Sequence, residues 1–411
     1  MKWLSWDLNL KTRLIGETLF NMLFWMYFPF LTIYFSDTLG LVEAGLMMTA
    51  PSLISIFGGM IGGYITDQYG RRKIMLIGAF MQALFFALFA LSFSPYMDYI
   101  AFLGISLGKS IYRPASSAMV ADLVPENERR SVFATFVSAN NLGAVFGPII
   151  GAVLFFQYRS ELLWTCTVVT FLYSIAIFFL IKETIPIKNE EDVQRMKLIS
   201  VVKNQVLNYL VILKDKVFFL YILGGIFITI SIMQLDLYLA IYIRNFVPTQ
   251  NLFSIGAWTV HLSSEEVFGW MLGLNGLLFV ICVIPVINML EKWSDRNSLI
   301  LAASLSGVGM FLVGLTTNAW LLFGITIILT LGEIIHGPVV QNFISKYAPI
   351  NARGQYMGAS DLQYSLGRFA APITVVFSVS LSPILIFGFI MTCAIVSAII
   401  YIIMFRLLSN I

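Results

Sequence analysis

LGKSIYRP, Leu107 to Pro114, returns as LGEIIHGP, Leu331 to Pro338, 224 residues further along the chain. The same offset pairs Pro125 with Pro349, Asn127 with Asn351, Arg129 with Arg353, Leu142 with Leu366, Gly143 with Gly367 and Pro148 with Pro372, with no gap anywhere. Self-similarity at a fixed offset marks two copies of one unit and sets the architecture before local propensity is consulted. Both copies lie in long apolar stretches, so the echo predicts a membrane protein of two parallel halves. One position inside it reverses its charge, Lys109 in the first copy being Glu333 in the second.

The rest of the chain agrees. Of 411 residues 59% are hydrophobic and 11% charged, and the mean hydropathy is +0.86; that is too little polar surface to cover a soluble globule of this length. A spanning helix needs roughly 20 mostly apolar residues, because its backbone polar groups must pair internally. Twelve stretches qualify, at about 12–36, 41–66, 74–94, 99–121, 132–156, 162–181, 217–243, 267–289, 299–316, 319–343, 355–379 and 383–405, numbered here as spans one to twelve. The expected fold is an all-α membrane protein with 12 transmembrane helices in two pseudo-symmetric six-helix bundles: residues 1–181, a cytoplasmic linker 182–216 with a surface helix, and residues 217–411.

The first apolar run is as long as a full span and no small-residue cleavage site closes a short one, so it reads as span one and not as a cleavable signal. Lys and Arg crowd the segments before span one, after the even-numbered spans and after span twelve, whereas the opposite-side loops hold only Arg159 and Arg244. That bias predicts a multi-pass cell-membrane protein with both termini cytoplasmic. Within the linker, ISVVKNQVLNYLVILKD (199–215) has near-helical apolar spacing and is expected to lie on the membrane surface. The longest external loop, 244–266, either caps the outer mouth or is passive. Cys166, Cys282 and Cys393 are expected to be buried free thiols. The net charge of +3 implies membrane lipids as partners and no nucleic acid. With two histidines, no metal-ligand cluster and no phosphate-cradling GxxxxGK[ST] loop, the chain is expected to be no enzyme, to carry no metal or cofactor, and to draw energy from an ion gradient.

After span two comes GGYITDQYGRRK, Gly62 to Lys73, with Asp67 at the membrane edge, Gly70 at a tight turn and a basic cluster from Arg71. An orientation signal alone explains the basic residues but not the offsets of Asp67 and Gly70. The run resembles the signature of the major facilitator superfamily. That resemblance implies a cytoplasmic charge latch between Asp67 and Arg71, with Asp122 at the end of span four as partner. WSDRNS, Trp293 to Ser298, is a weaker second-half counterpart that lacks the glycine. Span five reads NNLGAVFGPIIGAVLF, with Gly143, Gly147, Pro148 and Gly151, small residues that permit close helix approach. Its pattern resembles the antiporter motif of drug and proton exchangers in the same superfamily.

Charges within spans are expensive and are therefore candidates for function. Span seven carries Asp236 and span ten carries Glu333. A carboxylate held partly out of water can take and release protons near neutral pH. His336 and Gln341 are expected on roughly the face of Glu333. The bases Lys109, Arg113 and Arg368 offer such acids static partners; Lys109 and Arg113 either bind an anionic group or neutralise the acids. Arg13 and Glu17 on span one are spaced for an intrahelical pair, and aromatic rings at 15% suit a cavity for lipophilic cations. IMQLD (Ile232 to Asp236) and TLGEI (Thr330 to Ile334) resemble the acid-bearing runs of the twelve-helix drug:proton antiporters of the lactococcal multidrug type. The resemblance implies proton coupling and cation recognition at Asp236 and Glu333. It has two departures: Phe136 stands where that group carries a third acid, with Asn140 and Asn141 as the nearby polar groups, and Phe102 stands where many members carry arginine.

These readings together predict a monomeric, proton-coupled exporter of hydrophobic, cationic or zwitterionic drug-like molecules working by alternating access. A proton symporter for a sugar, nucleoside or peptide and a lipid or glycolipid flippase remain as alternatives.

Overall fold

The computed structural model describes residues 6–184, 212, 214–256, 258–349 and 353–409. The surface helix expected at 199–215 lies almost wholly outside them. The chain is nearly all helix and forms two compact units, Met1–Phe28 with Ala50–Asn204, and Pro29–Thr49 with Gln205–Ile411. Among the described residues, ten stretches are long and apolar enough to cross a membrane. The other two expected spans are helical but differ in kind. Span four, Pro95–Leu123, carries Asp98, Lys109, Arg113 and Asp122, and span eleven is three short helices, Arg353–Ser360, Leu362–Ala370 and Ile373–Phe377, interrupted at Asp361 and again at Pro372.

The first unit holds Leu8–Tyr27 of span one, Ala50–Tyr69 of span two, span three (Arg71–Leu91), span four, span five (Glu126–Gln157) and span six (Arg159–Leu180). Local signals fix the ends. The Asp7 side chain accepts from the Asn9 N–H and starts span one earlier than its apolar run does. Ser94 caps span four from the Met97 N–H, with Pro95 at the first helical position. Ile74, Met75, Ala79, Tyr112, Met119, Tyr173 and Ile177 of spans three, four and six pack into one buried cluster.

In the second unit, span seven runs as Lys216–Ile232, a tight 3-10 turn Met233–Asp236 and Tyr238–Phe246. Span eight (Ser264–Met289) starts with a full capping box between Ser263 and Glu266; spans nine (Asp295–Val313), ten (Ala319–Tyr347) and twelve (Pro383–Leu408) follow. The loop between spans seven and eight forms an antiparallel hairpin, β1 (Gln250–Ile255) with β2 (Trp258–Leu262). It is tied to the start of span ten: Gln250 Nε2 donates to the Thr317 carbonyl, and Trp320 Nε1 to that of Leu252 at 3.1 Å. Leu31–Leu39 and Leu41–Met47, the remaining pieces of spans one and two, also belong to this unit, where a Cβ on Gly45 would come within 3.1 Å of the Pro372 carbonyl oxygen.

The sequence echo is repeated in the packing. A Cβ on Gly108 would come within 2.8 Å of the Gly78 carbonyl oxygen and 3.2 Å of the Gln82 nitrogen. At the positions 224 residues later, a Cβ on Gly332 would come within 2.8 Å of the Ala302 carbonyl oxygen and 2.7 Å of the Ser306 nitrogen. Spans three and four, and spans nine and ten, thus meet through one glycine contact used twice. Large apolar side chains such as Ile284, Phe179 and Met289 point outward, the surface a lipid tail solvates at no cost. All three cysteines are free; Cys166 and Cys393 are buried and Cys282 is half-buried, more open than expected.

Candidate functional site

The signature after span two folds around one guanidinium. Gly70 has φ +103, a conformation that L side chains avoid, and there the chain turns from span two into span three. The turn aims Arg71 back under span two. Its Nε donates to Asp122 Oδ2 at 2.9 Å, and its Nη1 to the Thr66 carbonyl at 3.1 Å, with Asp67 Oδ1 at 3.1 Å. A group not expected from the motif completes the arrangement. Glu183, just past span six, accepts from the backbone N–H groups of Arg71 at 2.8 Å and Arg72 at 3.2 Å, an anion on the first turn of span three.

In the second unit the positions equivalent to Arg71 and Asp122 are Asp295 and Lys346, and they pair at 3.7 Å with the charges exchanged. Asn342 Nδ2 also donates to Asp295, at 2.9 Å. WSDRNS therefore supplies an ion pair, through its aspartate and a lysine of span ten.

The three glycines of span five lie directly on the backbone of span one. A Cβ on Gly143 would be 2.7 Å from Met22 N, one on Gly147 3.1 Å from Met22 O, and one on Gly151 2.7 Å from Met26 Cα. Pro148, buried within the same helix, has no N–H for the Ala144 carbonyl.

Beside this contact the first unit lines a half-open cavity of about 400 Å³. Arg13, Glu17, Lys109, Arg113 and Asn140 line it. The Arg13–Glu17 pair forms as the spacing predicts, at 2.9 Å, but its other partners come from span four: Glu17 accepts from Tyr112 OH at 3.1 Å and from Ser116, which also meets Arg13. Tyr112 OH in turn bonds Tyr173 OH of span six at 2.7 Å. Phe136 takes the guanidinium of Arg13 over its ring, 5.0 Å from the centroid, and Phe24 takes Lys109 Nζ at 3.4 Å. Asn21 Nδ2 donates to the Asn140 carbonyl, whereas Asn141 is half-buried and off the cavity wall.

In the second unit Glu333 is half-buried midway along span ten. Asn275 of span eight donates from Nδ2 to Glu333 Oε2 at 2.8 Å and to Thr330 Oγ1 at 3.0 Å. Asp236 is close enough to Glu333 and to Arg368 to interact electrostatically with both. It ends the 3-10 turn of span seven, and its backbone carbonyl accepts from Thr32 at 3.0 Å. Beside it Gln234, fully buried, bridges to the break in span eleven: it donates to the Ala371 carbonyl at 3.2 Å and accepts from Thr374 at 2.6 Å.

Glu333, His336 and Gln341 do not share one polar face. His336, 2% exposed, bonds Tyr401 of span twelve at 3.3 Å, and its ring meets Tyr364 edge-on; Gln341 is exposed. At about 100° per residue His336 is rotated some 60° one way from Glu333 and Gln341 about 80° the other, enough to give the three residues different neighbours.

A sequence profile of the Major Facilitator Superfamily matches residues 14–260 and 245–410. The chain belongs to that superfamily. It is a multi-pass membrane transporter of the twelve-helix major facilitator fold and not an enzyme. A Na(+), Li(+), K(+)/H(+) antiporter of Planococcus maritimus is 35% identical over 383 residues, covering 91% of this chain and 90% of the relative. The multidrug resistance protein MdtH of Yersinia enterocolitica is 25% identical over 366 residues, covering 86% and 82%. Among solved structures, a POT family transporter in complex with 5-aminolevulinic acid superposes with a TM-score of 0.78 at 19% identity, covering 96% of this chain and 95% of that one, a likeness of fold.

Proposed function

We propose that this major facilitator protein is a proton-coupled antiporter of the cell membrane, with both termini cytoplasmic, that exports hydrophobic cationic or zwitterionic molecules by alternating access. The observation that carries the reading is Glu333 in mid-span, held by Asn275 with Asp236 in electrostatic reach. An acid in that setting exchanges a proton for a cation, because its charge must be compensated by one or the other when water is excluded. Cargo and proton shift the inward and outward populations only by binding them unequally. The Arg71 cluster supplies a bistable element, its ion pairs made in one state and released in the other. The multidrug designation of MdtH is in keeping with this cargo.

A second reading, favoured by a specific observation, has a monovalent metal cation as cargo. A Glu333 carboxylate oxygen and the Thr330 hydroxyl oxygen, both of the kind hard cations prefer, face one point, where each now accepts from Asn275 Nδ2. The Planococcus antiporter, whose name gives Na(+), Li(+) and K(+), supports it.

Both readings are tested in proteoliposomes with an imposed inside-acidic gradient. Fluorescent lipophilic cations, a zwitterionic antibiotic, Na+ and K+ are offered in turn to the wild type and to Glu333→Gln. Gradient-driven uptake of organic cations, lost in the variant, is the expected result; proton release driven by Na+ or K+ alone selects the second reading. Full gradient-driven transport by Glu333→Gln overturns the proton-coupling role.

A further inference from the structure

The cavity of the first unit is built around positive charge, and exchange of protons at the second unit's acids does not account for it. Arg13, Lys109 and Arg113 stand on its wall against one carboxylate, Glu17. Arg13 is 2% exposed and held from several sides. Its Nε and Nη2 donate to Glu17 at 3.1 and 2.9 Å, Nη2 also meets Ser116, and the ring of Phe136 lies against the guanidinium. Yet Nη1 has no hydrogen-bond acceptor among the described residues. A buried guanidinium N–H without an acceptor is uncommon, since protein interiors pair nearly all such groups. Glu17 and Ser116 occupy Nε and Nη2, so Nη1 is the guanidinium nitrogen left to donate to a further acceptor, and a carboxylate oxygen makes the strongest such bond.

The remaining wall fixes the rest of the ligand. Phe20, Phe24, Tyr27 and Phe86 supply aromatic surface, and Asn140, whose side-chain oxygen also lacks a partner among the described residues, supplies an acceptor. A volume of about 400 Å³ lies within the range of small-molecule sites. We infer that this cavity is a binding site for an aromatic carboxylate, whose carboxyl group bonds Arg13 Nη1 within the field of Lys109 and Arg113 while its ring packs on the phenylalanines. For a zwitterionic cargo this is the subsite of the acid group, and to that extent the inference rests on the antiporter reading. Binding itself requires no proton gradient.

The test is equilibrium binding of 3-(2-naphthyl)propionate, and of its uncharged primary amide, to the full-length protein in phosphatidylcholine nanodiscs by titration calorimetry with no gradient present. The acid is expected to bind at least about tenfold more tightly than the amide, the ratio lost with one charge-assisted hydrogen bond. Arg113→Gln and Lys109→Gln, both exposed and outside any packed core, should each weaken the acid several-fold and leave the amide unchanged. Acid and amide binding alike, or an acid affinity within twofold of wild type in both variants, overturns the site. Full gradient-driven transport by Glu333→Gln with the acid still bound overturns the antiporter reading and leaves this inference standing, whereas loss of transport in that variant with acid and amide bound alike overturns this inference and leaves the antiporter reading standing.

Discussion

Asp122→Asn should damage the Arg71 cluster more than Asp67→Asn, although Asp67 is the acid inside the signature motif. Arg71 meets both carboxylates at similar distance, 2.9 Å to Asp122 and 3.1 Å to Asp67. Their surroundings differ. The Asp67 side chain is 65% exposed and that of Asp122 only 19%, against 11% for the Arg71 side chain they share. An exposed ion pair contributes about 0–1 kcal/mol, since water and salt screen it. A largely buried hydrogen bond to a charged group contributes about 1.5–3 kcal/mol. Replacing carboxylate by amide preserves shape and removes charge, so Asp67→Asn should cost under about 1 kcal/mol and Asp122→Asn about 1.5–3 kcal/mol. The measurement is equilibrium unfolding in mixed micelles, with SDS titrated against dodecyl maltoside at neutral pH. An Asp67→Asn loss equal to or larger than that of Asp122→Asn would refute the reasoning that burial and not motif membership sets the strength of these pairs.

Gly108→Ala and Gly332→Ala put a methyl group against backbone that cannot retreat, so each should lose about 1–3 kcal/mol in the same assay. Gly63→Ala and Gly324→Ala, which meet nothing within 4 Å, should be neutral or gain up to about 1 kcal/mol from helix propensity. Gly70→Ala combines a forbidden φ of +103 with a methyl group driven into Glu183, and should lose about 1–3 kcal/mol; stability unchanged from wild type would contradict the assigned turn.

The fold was legible because two long-range facts are written locally in this chain. Apolar runs mark where a backbone can pair only with itself, and the echo from Leu107 to Pro114 and from Leu331 to Pro338 marks which helices correspond. The signature also displays Asp67, Gly70 and Arg71 within a few residues, and Asp122 entered through family likeness. Glu183 left no trace, because its link to Arg71 spans more than 100 residues and nothing in KET distinguishes it from its charged neighbours. Asn275 did leave a signal, a lone amide in the apolar run LGLNGLLF, of the kind that marks an interhelical hydrogen bond. Arg13 and Glu17 were readable as a pair but not as part of a cavity wall, since Ser116 and Tyr112 reach them only after spans one and four pack. The neighbours of His336 were not legible, because an offset of three residues turns a side chain some 60° about the helix, enough to meet Tyr401 of span twelve.

Asp236 ends a four-residue 3-10 turn that parts Lys216–Ile232 from Tyr238–Phe246. Such mid-helix interruptions act as joints. The nine-residue second piece is about 13 Å long at 1.5 Å per residue, so a tilt of about 20° at the turn would swing its far end by roughly 5 Å while the pivot moves by a small fraction of that. On the antiporter reading, span seven is then a lever with a carboxylate at its fulcrum: the acid would keep its place while the piece beyond the turn sets whether water reaches it. Engineering that stiffens the turn should therefore change how often the site is reached and leave the affinity of the acid nearly as it was.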